Sequence, residues 1–326
     1  MQVTILGTGA YGIALALMFH ENKTNQITMW TKFEEEAKDL NKYRENKKVL
    51  PGVKIPKEIK FSNDIDESIT TADIIVFAVP AHALDDVAFL MRGMVKPTQH
   101  LLVASKGIES GTCLFPTDII AKHIKSRNIG VISGPSFAID MAAGVPIGLT
   151  IATKSIATKR ATIQSLQNRY LRLIPTTDVI GTQICGSIKN VIAIAAGMLA
   201  GMKLPESTQA MFITESLHCI KNLIHALGGN KRTILSYAGF GDLLLTCTSV
   251  KSRNYRYGYM IGAGEDKKKI KEYSDNTTVE GLYTLTSIMQ LLNHKKVSIP
   301  MIDLIYNIIV YGEDPKTLTD FLTKED

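Results

Sequence analysis

The stretch VTILGTGAYGIALALMF, Val3 to Phe19, contains an apolar strand-like run, a glycine-rich turn and an apolar helix in direct succession. Gly7, Gly9 and Gly12 have the spacing G-x-G-x-x-G. The first glycine permits a tight turn, the second lets the backbone approach a pyrophosphate, and the third lets the helix pack on the strand. The alternative is an ordinary glycine turn, but the strand and helix on either side favour a dinucleotide-binding loop facing the helix N-terminus.

Further apolar runs follow this stretch through the first half of the chain. Those that resemble strands are QVTIL, QITMW, DIIVFAV, HLLVAS, NIGVIS and PIGLTIA. Helical patterns separate the early runs, which is typical of βαβ units. After LRLIPTTD, Leu171 to Asp178, the periodicity is helical almost throughout. We therefore predict an α/β protein, with an N-terminal Rossmann-like doubly wound sheet in residues 1–178 and an all-α substrate-binding domain in residues 179–326.

The composition is typical of a globular protein with two domains, since 45% of its 326 residues are hydrophobic. The four cysteines are far apart and form no CxxC pair, which argues against a zinc site or a disulfide framework. Met1 leads directly into a strand-like run, so no signal peptide is visible. These features predict a cytoplasmic protein without a metal centre.

The net charge of +6 raises the question of nucleic acid or membrane binding. The lysines are scattered and often stand beside acids, as in EDKKKIKE, Glu265 to Glu272. This pattern favours a solvated surface over a nucleic-acid interface. The longest charge-free apolar window, Asn190 to Met202, is too short to span a bilayer, so we expect no membrane insertion.

The second strand-like run ends at Trp30-Thr31-Lys32. A Rossmann unit specific for NAD usually has a carboxylate there for the ribose diol. Glu34 to Glu36 come slightly later and have the pattern of the first turn of a helix. Lys32 would neutralise a 2′-phosphate, so the sequence favours NADPH over NADH; the alternative for Lys32 is a solvated loop lysine.

Two further strand ends carry polar groups suited to an anion. Lys106 follows HLLVAS, and Gly134-Pro135-Ser136 follows NIGVIS as a turn that opens a helix. Such a turn exposes backbone N–H groups and the Ser136 hydroxyl to a ligand. The alternatives are a solvated Lys106 and a Ser136 that serves only as an N-cap.

One lysine lies within an apolar helix in the second half. Lys189 is in ICGSIKNVIAIAAGM, Ile184 to Met198, with small residues Gly186, Ala193 and Gly197 at helical spacing. These small residues leave room for a ligand or for another element. Desolvation lowers the pKa of a lysine unless an anion pairs with it, which suits a general base. The alternative is a snorkelling or salt-bridged lysine at a domain interface.

The stretch AGFGDLLLTCTSVKSRNYRYG, Ala238 to Gly258, has groups that fit an anionic substrate. A glycine turn places Asp242 at the start of an apolar helix, and Ser252-Arg253-Asn254 follow. A hydroxyl, a guanidinium and an amide in a row suit a phosphate. Glu280 stands at a predicted helix start, where a carboxylate can also simply cap the helix.

The sequence resembles the bacterial NAD(P)-dependent glycerol-3-phosphate dehydrogenases over nearly its whole length. The resemblance is carried, in order, by GTGAYG, ASKGIE, SGPSFA, SIKNVIAIAAG, GFGDLLLTCTS, SRNYRYG and VEG. It implies the reversible reduction of dihydroxyacetone phosphate, a small phosphorylated substrate, to sn-glycerol 3-phosphate with NADPH or NADH, feeding glycerophospholipid synthesis. It also implies a homodimer.

The resemblance implies roles for individual residues. Lys189 matches the catalytic lysine, which accepts the proton of the C2 hydroxyl. The substrate-binding residues are then Lys106, Gly134, Ser136, Lys189, Asp242, Ser252, Arg253 and Asn254. With the glycine loop and Lys32, the cofactor-binding residues are Gly7, Gly9, Ala10, Tyr11, Gly12, Lys32, Lys106, Ala138, Arg253 and Glu280. The sequence departs from the family pattern at Ala10-Tyr11 (often Ser-Trp), at Lys32 (commonly arginine) and at Val49 (frequently tyrosine).

Two other functions compete with this interpretation. Another two-domain dehydrogenase, of the hydroxyacid or ketopantoate type, would also place a lysine near an apolar helix but has no evident need for the Ser-Arg-Asn trio. A non-enzymatic NAD(H) sensor usually carries a DNA-binding module, and no helix-turn-helix with a basic face is apparent.

Overall fold

A computed structural model describes residues 1–324, which divide into two compact units. The first unit comprises Met1–Lys106 and Pro116–Val179. The second comprises Gly107–Phe115 and the described chain from Ile180 onward.

The first unit is built on one eight-stranded sheet with the order β3-β2-β1-β4-β5-β6-β7-β8. Its strands are β1 Gln2–Leu6, β2 Gln26–Trp30, β3 Lys60–Ser62, β4 Ile74–Phe77, β5 His100–Val103, β6 Ile129–Ser133, β7 Ile147–Thr153 and β8 Leu171–Thr176. The first six are parallel in the order of a doubly wound nucleotide-binding sheet, which confirms the predicted Rossmann-like fold.

The last two strands differ in direction from the rest of the sheet. β7 pairs antiparallel with β6, and β8 pairs parallel with β7 at the edge. β8 contains Pro175, which an edge strand tolerates because only one of its sides is in a hydrogen-bonded ladder. All six predicted runs form strands, whereas β3 and β8 were not predicted.

Seven α-helices, and a 3₁₀ turn at Ala81–Ala83, belong to the first unit. The helices are α1 Ala10–Glu21, α2 Glu34–Tyr43, α3 Ile65–Thr70, α4 Leu84–Leu90, α5 Pro116–His123, α6 Ala138–Ala142 and α7 Ile156–Leu166. The helix after the glycine loop, α1, is buried from Gly12 to Ala16 and packs with Val3 and Ile5 of β1 in one apolar cluster. This packing holds the loop between β1 and α1 in place.

The second unit is helical, and residues 180–324 contain no strand. Its helices are α8 Val179–Gly201, α9 Glu206–Ala226, α10 Asp242–Cys247, α11 Arg253–Gly262, α12 Lys267–Asn276, α13 Glu280–Lys295, α14 Pro300–Tyr306 and α15 Thr317–Thr323. Short 3₁₀ or π-helical turns lie at Lys231–Leu235, Tyr237–Gly241 and Asn307–Tyr311. The predicted all-α second half is therefore confirmed.

The long helix α8 forms the centre of this unit. By length and hydropathy it would be able to cross a membrane, yet 89% of its most apolar window is buried inside the protein. A core helix passes the same test of length and composition. Its burial by other helices accounts for its continuous apolar sequence.

Glycines allow α8 and α11 to pack with their backbones in contact. A Cβ atom added to Gly258 of α11 would lie 1.8 Å from the carbonyl oxygen of Ile194. A Cβ atom added to Gly197 of α8 would lie 2.0 Å from the carbonyl oxygen of Tyr255. The room that small residues leave near Lys189 is therefore filled, at Gly197, by another helix.

A short segment from the middle of the first half is part of the helical unit. In Gly107–Phe115, the N–H of Gly107 donates to the Ser187 hydroxyl over 3.1 Å, and that hydroxyl lies 3.1 Å from the Gly107 carbonyl oxygen. Three of its apolar residues join the core around α8: Ile108, Cys113 and Phe115.

Candidate active site

The glycine loop has the local geometry that its sequence predicts. Gly7 has φ +113°, a region that favours glycine, and a Cβ atom there would lie 2.9 Å from the Ala78 carbonyl oxygen. A Cβ atom on Gly12 would lie 2.3 Å from the carbonyl oxygen of Gly7. At Gly9, in contrast, no atom lies within 4 Å of the Cβ position. The loop is thus closely packed on the protein side and open at its middle glycine.

The open side of the loop is also the N-terminus of α1. Gly9 is the N-cap, no side chain caps the helix, and its first turn has no acidic residue. The first N–H groups of a helix carry partial positive charge and lack partners within the helix. Ala10 and Tyr11 begin this turn. These residues fit the pyrophosphate of a dinucleotide, since the backbone offers donors where no side chain blocks the approach.

Three predicted ligand-binding side chains come together beside this loop. The Tyr11 hydroxyl lies 3.2 Å from the Ser136 hydroxyl, and the Lys106 ammonium lies 5.9 Å from the centroid of the Tyr11 ring. Ser136 also donates to the carbonyl oxygen of Gly134 over 2.9 Å. These contacts place a cation and two hydroxyls together in the first unit.

The turn Gly134-Pro135-Ser136 leads into a helix, as predicted, but Ser136 is not the N-cap of that helix. The helix after β6 begins two residues later, at Ala138, and Phe137 is its N-cap. The Ser136 side chain is therefore directed by Tyr11 and Gly134 rather than by capping. Ala138, a predicted cofactor-binding residue, is the first residue of this helix.

The carboxylate of Glu36 lies at the end of β2, although the sequence predicted it only as part of a helix turn. Lys32 is exposed at that end. Glu36 lies in the first turn of α2, as predicted, but its Oε2 accepts a hydrogen bond of 2.5 Å from the Thr31 hydroxyl. Asn46 lies 3.5 Å from the other carboxylate oxygen and donates over 3.3 Å to the Thr8 carbonyl oxygen of the glycine loop. The sequence pattern assigned no ligand-binding role to Glu36 or Asn46.

In the second unit, Lys189 forms a buried ion pair. Its Nζ lies 2.5 Å from Oδ1 of Asp242 and 3.1 Å from the Thr246 hydroxyl. Lys189 is 9% exposed and Asp242 is 1% exposed. An ammonium so far removed from water needs such partners, because an unpaired buried charge costs several kcal/mol.

Both partners of Lys189 lie on the short helix α10. Asp242 begins α10 after a π-helical turn, and Thr246 lies one helical turn further on. The Thr246 hydroxyl donates to the Asp242 carbonyl oxygen over 2.6 Å, which leaves its lone pairs toward the ammonium. Thr246 was not predicted, although its spacing of four residues from Asp242 is a signal that helix periodicity provides.

Cys247 lies beside this ion pair, but its thiol does not serve as a nucleophile. Burial raises the pKa of the Cys247 thiol far above its usual range; the Lys189 charge works against this shift, and the Asp242 charge adds to it. Since the thiolate is the reactive form, Cys247 stays protonated and packs as an apolar residue.

A chain of amide contacts joins α8, α11 and α13 next to Lys189. Asn190 donates to the Glu280 carboxylate over 3.0 Å and accepts a hydrogen bond of 3.0 Å from Asn254. The side-chain oxygen Oδ1 of Asn254 in turn accepts from the backbone N–H of Gly281 over 2.9 Å. Asn254 and Glu280, both predicted ligand-binding residues, are therefore positioned by Asn190, which the sequence analysis did not identify.

The three residues predicted to bind a phosphate, Ser252, Arg253 and Asn254, lie at the N-terminus of α11. Ser252 is the N-cap, and its hydroxyl accepts from the N–H of Tyr255 over 3.2 Å. Arg253 is exposed in the first turn, which contains no acidic residue. A cation is unfavourable at the positive end of a helix. An anion bound there would compensate both Arg253 and the helix dipole.

Residues 1–324 contain no group of three or more His, Cys, Asp or Glu side chains that would hold a metal ion. Lys189 instead contacts one carboxylate, that of Asp242, and the Thr246 hydroxyl. Such a lysine can exchange a proton with a substrate oxygen.

A glycine loop on a doubly wound sheet, together with an ion-paired lysine in a helical unit, defines the class of two-domain dinucleotide-dependent dehydrogenases. Models of the N-terminus and C-terminus of NAD-dependent glycerol-3-phosphate dehydrogenase match residues 2–159 and 178–320. The chain belongs to this family. The family resemblance found in the sequence is thereby confirmed.

Similar proteins agree with this assignment over the full chain. A "Glycerol-3-phosphate dehydrogenase [NAD(P)+]" from Fusobacterium nucleatum is 36% identical over 93% of this chain and 90% of its own. The crystal structure of glycerol-3-phosphate dehydrogenase from Coxiella burnetii has 29% identity and a TM-score of 0.92, covering 99% of both chains.

A ketopantoate reductase from Ralstonia eutropha is less similar. The match covers 99% of this chain and 100% of the reductase, with a TM-score of 0.58 at 12% identity, so the reductase shares the fold alone.

Proposed function

We propose that the protein catalyses the reversible reduction of dihydroxyacetone phosphate to sn-glycerol 3-phosphate with NADH or NADPH. The observation that carries this proposal is the buried Lys189–Asp242 pair in a chain of the glycerol-3-phosphate dehydrogenase family. The product would feed glycerophospholipid synthesis. The ketopantoate-type alternative has less support, because the similarity to such an enzyme extends to the fold only.

Lys189 is the proposed proton donor and acceptor. When bound, the nicotinamide supplies or accepts the hydride at C2 of the substrate. The Lys189 ammonium donates its proton to the C2 oxygen during reduction, and the neutral amine takes it back during oxidation. Asp242 and Thr246 fix the direction of the ammonium through the contacts of 2.5 Å and 3.1 Å described above.

The N-terminus of α11 is the proposed phosphate-binding element. The exposed Arg253 guanidinium offers a bidentate grip, and the Ser252 hydroxyl retains a proton to donate while it accepts from the helix. Asn254 has one N–H engaged with Asn190 and a second for a ligand. Each of the three side chains would donate to a separate phosphate oxygen.

The first unit contributes the remaining ligand-binding residues. The glycine loop with Ala10 and Tyr11 binds the pyrophosphate. Lys106 and Ser136, held beside Tyr11, add a cation and a hydroxyl for the negatively charged ligands. The other residues proposed to contact ligands are Lys32, Gly134, Ala138 and Glu280.

An assay of the purified protein tests the function directly. We expect dihydroxyacetone phosphate to drive oxidation of the reduced cofactor, and ketopantoate and simple 2-oxo acids to be poor substrates. Identification of sn-glycerol 3-phosphate as the product by an independent enzymatic or NMR method would complete the test. Equal activity with a substrate that lacks the phosphate would contradict the role of the α11 N-terminus.

Cellular location and assembly are part of the same proposal. The four cysteines are free and buried, which supports a reducing compartment, and we propose the cytoplasm. We also propose a homodimer, as the family resemblance implies. Sedimentation equilibrium of the purified protein distinguishes a monomer from a dimer.

A further inference from the structure

We propose that Glu36 selects the cofactor. Its carboxylate accepts hydrogen bonds from the hydroxyls of the adenosine ribose, and the protein therefore prefers NAD(H) to NADP(H). This inference rests on the proposed dehydrogenase function, and it concerns the nucleotide end of the same site. It opposes the preference for NADPH that Lys32 suggested in the sequence.

β2 ends beside the glycine loop. β1 and β2 are paired in register up to Leu6 and Trp30. The N–H of Gly7 then donates to the Trp30 carbonyl oxygen over 2.8 Å. The glycine loop therefore begins where β2 ends. In a Rossmann unit the adenosine ribose lies at this edge, next to the end of the second strand.

The Glu36 carboxylate is held at this edge by the residue after β2 and, through Asn46, by the glycine loop. The Thr31 hydroxyl, directly after β2, donates to one carboxylate oxygen over 2.5 Å. Asn46 contacts the other oxygen at 3.5 Å and also donates to Thr8 in the glycine loop. The carboxylate is half-buried, so it keeps access to a ligand.

The two glutamates that precede Glu36 in the sequence pair with a lysine instead. Glu34 and Glu35 are exposed and both pair with Lys38, at 2.8 Å and 3.1 Å. They therefore face solvent on α2. Among the three consecutive glutamates, Glu36 is the one whose carboxylate is turned back to β2 and the loop. This difference makes Glu35 a matched control for Glu36.

The two cofactors differ in what they offer to a carboxylate at this position. Each carboxylate oxygen has two lone pairs, so Glu36 can accept from a ribose diol in addition to Thr31 and Asn46. The 2′-phosphate of NADP(H) replaces one hydroxyl donor by a dianionic group. Placed against a carboxylate, this group is repelled, and the lost hydrogen bond is not replaced.

The nearby cations, Lys32 and Arg44, do not reverse the preference for NAD(H). Lys32 is exposed, and attraction to a solvated ammonium is weakened by water and salt. Arg44 donates from its guanidinium to the Ile59 carbonyl oxygen over 2.6 Å and lies over the Phe61 ring. We therefore expect the anchored carboxylate to dominate the choice of cofactor.

The test compares Glu36→Gln with Glu35→Gln and the wild type. Dissociation constants for NADH and NADPH come from isothermal titration calorimetry, and kcat/KM with dihydroxyacetone phosphate comes from steady-state assays. We expect the wild type to bind NADH about tenfold or more tightly than NADPH, the value of one charged hydrogen bond. Glu36→Gln should reduce this ratio about tenfold, whereas Glu35→Gln should leave it unchanged.

Three results would overturn the inference. They are a wild type that binds NADPH more tightly, a Glu36→Gln ratio equal to that of the wild type, and an equal change in Glu35→Gln. The first would assign the choice to Lys32. Absence of turnover with either cofactor, accompanied by the expected binding ratios, would reject the proposed reaction and leave the role of Glu36 intact.

Discussion

The Lys189 ammonium lies 2.5 Å from the Asp242 carboxylate, and both side chains are buried in the helical unit. The pair joins the central helix α8 to the start of α10, where the glycine-rich turn ends. Each charge compensates the desolvation of the other. The position of the proposed acid–base group is thus determined by a partner on another helix.

Lys189→Ala should lower kcat by about 100-fold or more, the usual effect of losing a general acid–base group. The variant also leaves the Asp242 carboxylate buried without its partner, which should lower the free energy of unfolding by about 3–5 kcal/mol. Turnover is therefore measured under conditions where circular dichroism shows the variant to be folded. NADH binding should persist, because the glycine loop belongs to the other unit. Wild-type turnover in the folded variant would refute the assignment.

Arg253→Ala should raise KM for dihydroxyacetone phosphate by about tenfold to 100-fold, since a hydrogen bond to a charged group contributes about 1.5–3 kcal/mol. Arg256→Ala is the matched control. Arg256 is exposed on the same helix, but its guanidinium lies over the Tyr273 ring at 5.6 Å. Initial-rate measurements should show an unchanged KM for that variant. Equal effects of the two substitutions would indicate a general loss of positive charge rather than a phosphate contact.

Gly258→Ala should destabilise the protein by roughly 3 kcal/mol. Alanine normally favours a helix over glycine by about 1 kcal/mol. Here the added Cβ atom would lie 1.8 Å from the Ile194 carbonyl oxygen, so α11 must move away from α8. Denaturant unfolding measures the loss, with Tyr259→Ala as the control because the Tyr259 side chain is 42% exposed. A Gly258→Ala variant as stable as the wild type would show that the two helices are not in such close contact.

Stability should decrease as the pH falls below about 6.5, partly because of His100. Burial lowers the pKa of His100 below its usual value of 6.5, although the charge of Asp73 opposes the shift. The unfolded state therefore binds a proton before the folded state does, and the stability contributed by neutral His100 is lost on acidification.

Urea unfolding at several pH values tests this effect. His100→Gln should show a weaker dependence on pH, while His20, whose pKa burial also lowers, accounts for part of the remaining slope. An unchanged slope in His100→Gln would assign the pH dependence to other groups.

Most of the sheet was predictable from the sequence because buried parallel strands are continuously apolar. β3 was missed because Lys60–Ser62 is too short to show a pattern. β8 was missed because Arg172 and Pro175 interrupt the apolar residues of Leu171–Thr176. The antiparallel direction of β7 depends on its pairing with β6, which no local pattern in Ile147–Thr153 reveals.

The candidate site was predictable in part: the glycine loop has the geometry that its spacing indicates, and Asp242 begins a helix after a glycine turn. Glu36 was not predictable, because a helix turn brings its carboxylate back to Thr31, five residues earlier in the chain. Asn190 was not, because its partners Asn254 and Glu280 come from distant helices. These contacts arise only from tertiary packing.

The segment Gly107–Phe115 has a consequence for how the protein is made. It lies in the chain between two parts of the sheet-containing unit, yet its apolar side chains are buried among helices that are synthesised much later. No single cut of the gene therefore separates the two units into self-contained pieces. A fragment ending at Val179 would present Ile108 and Phe115 to water, and we expect it to aggregate when expressed alone.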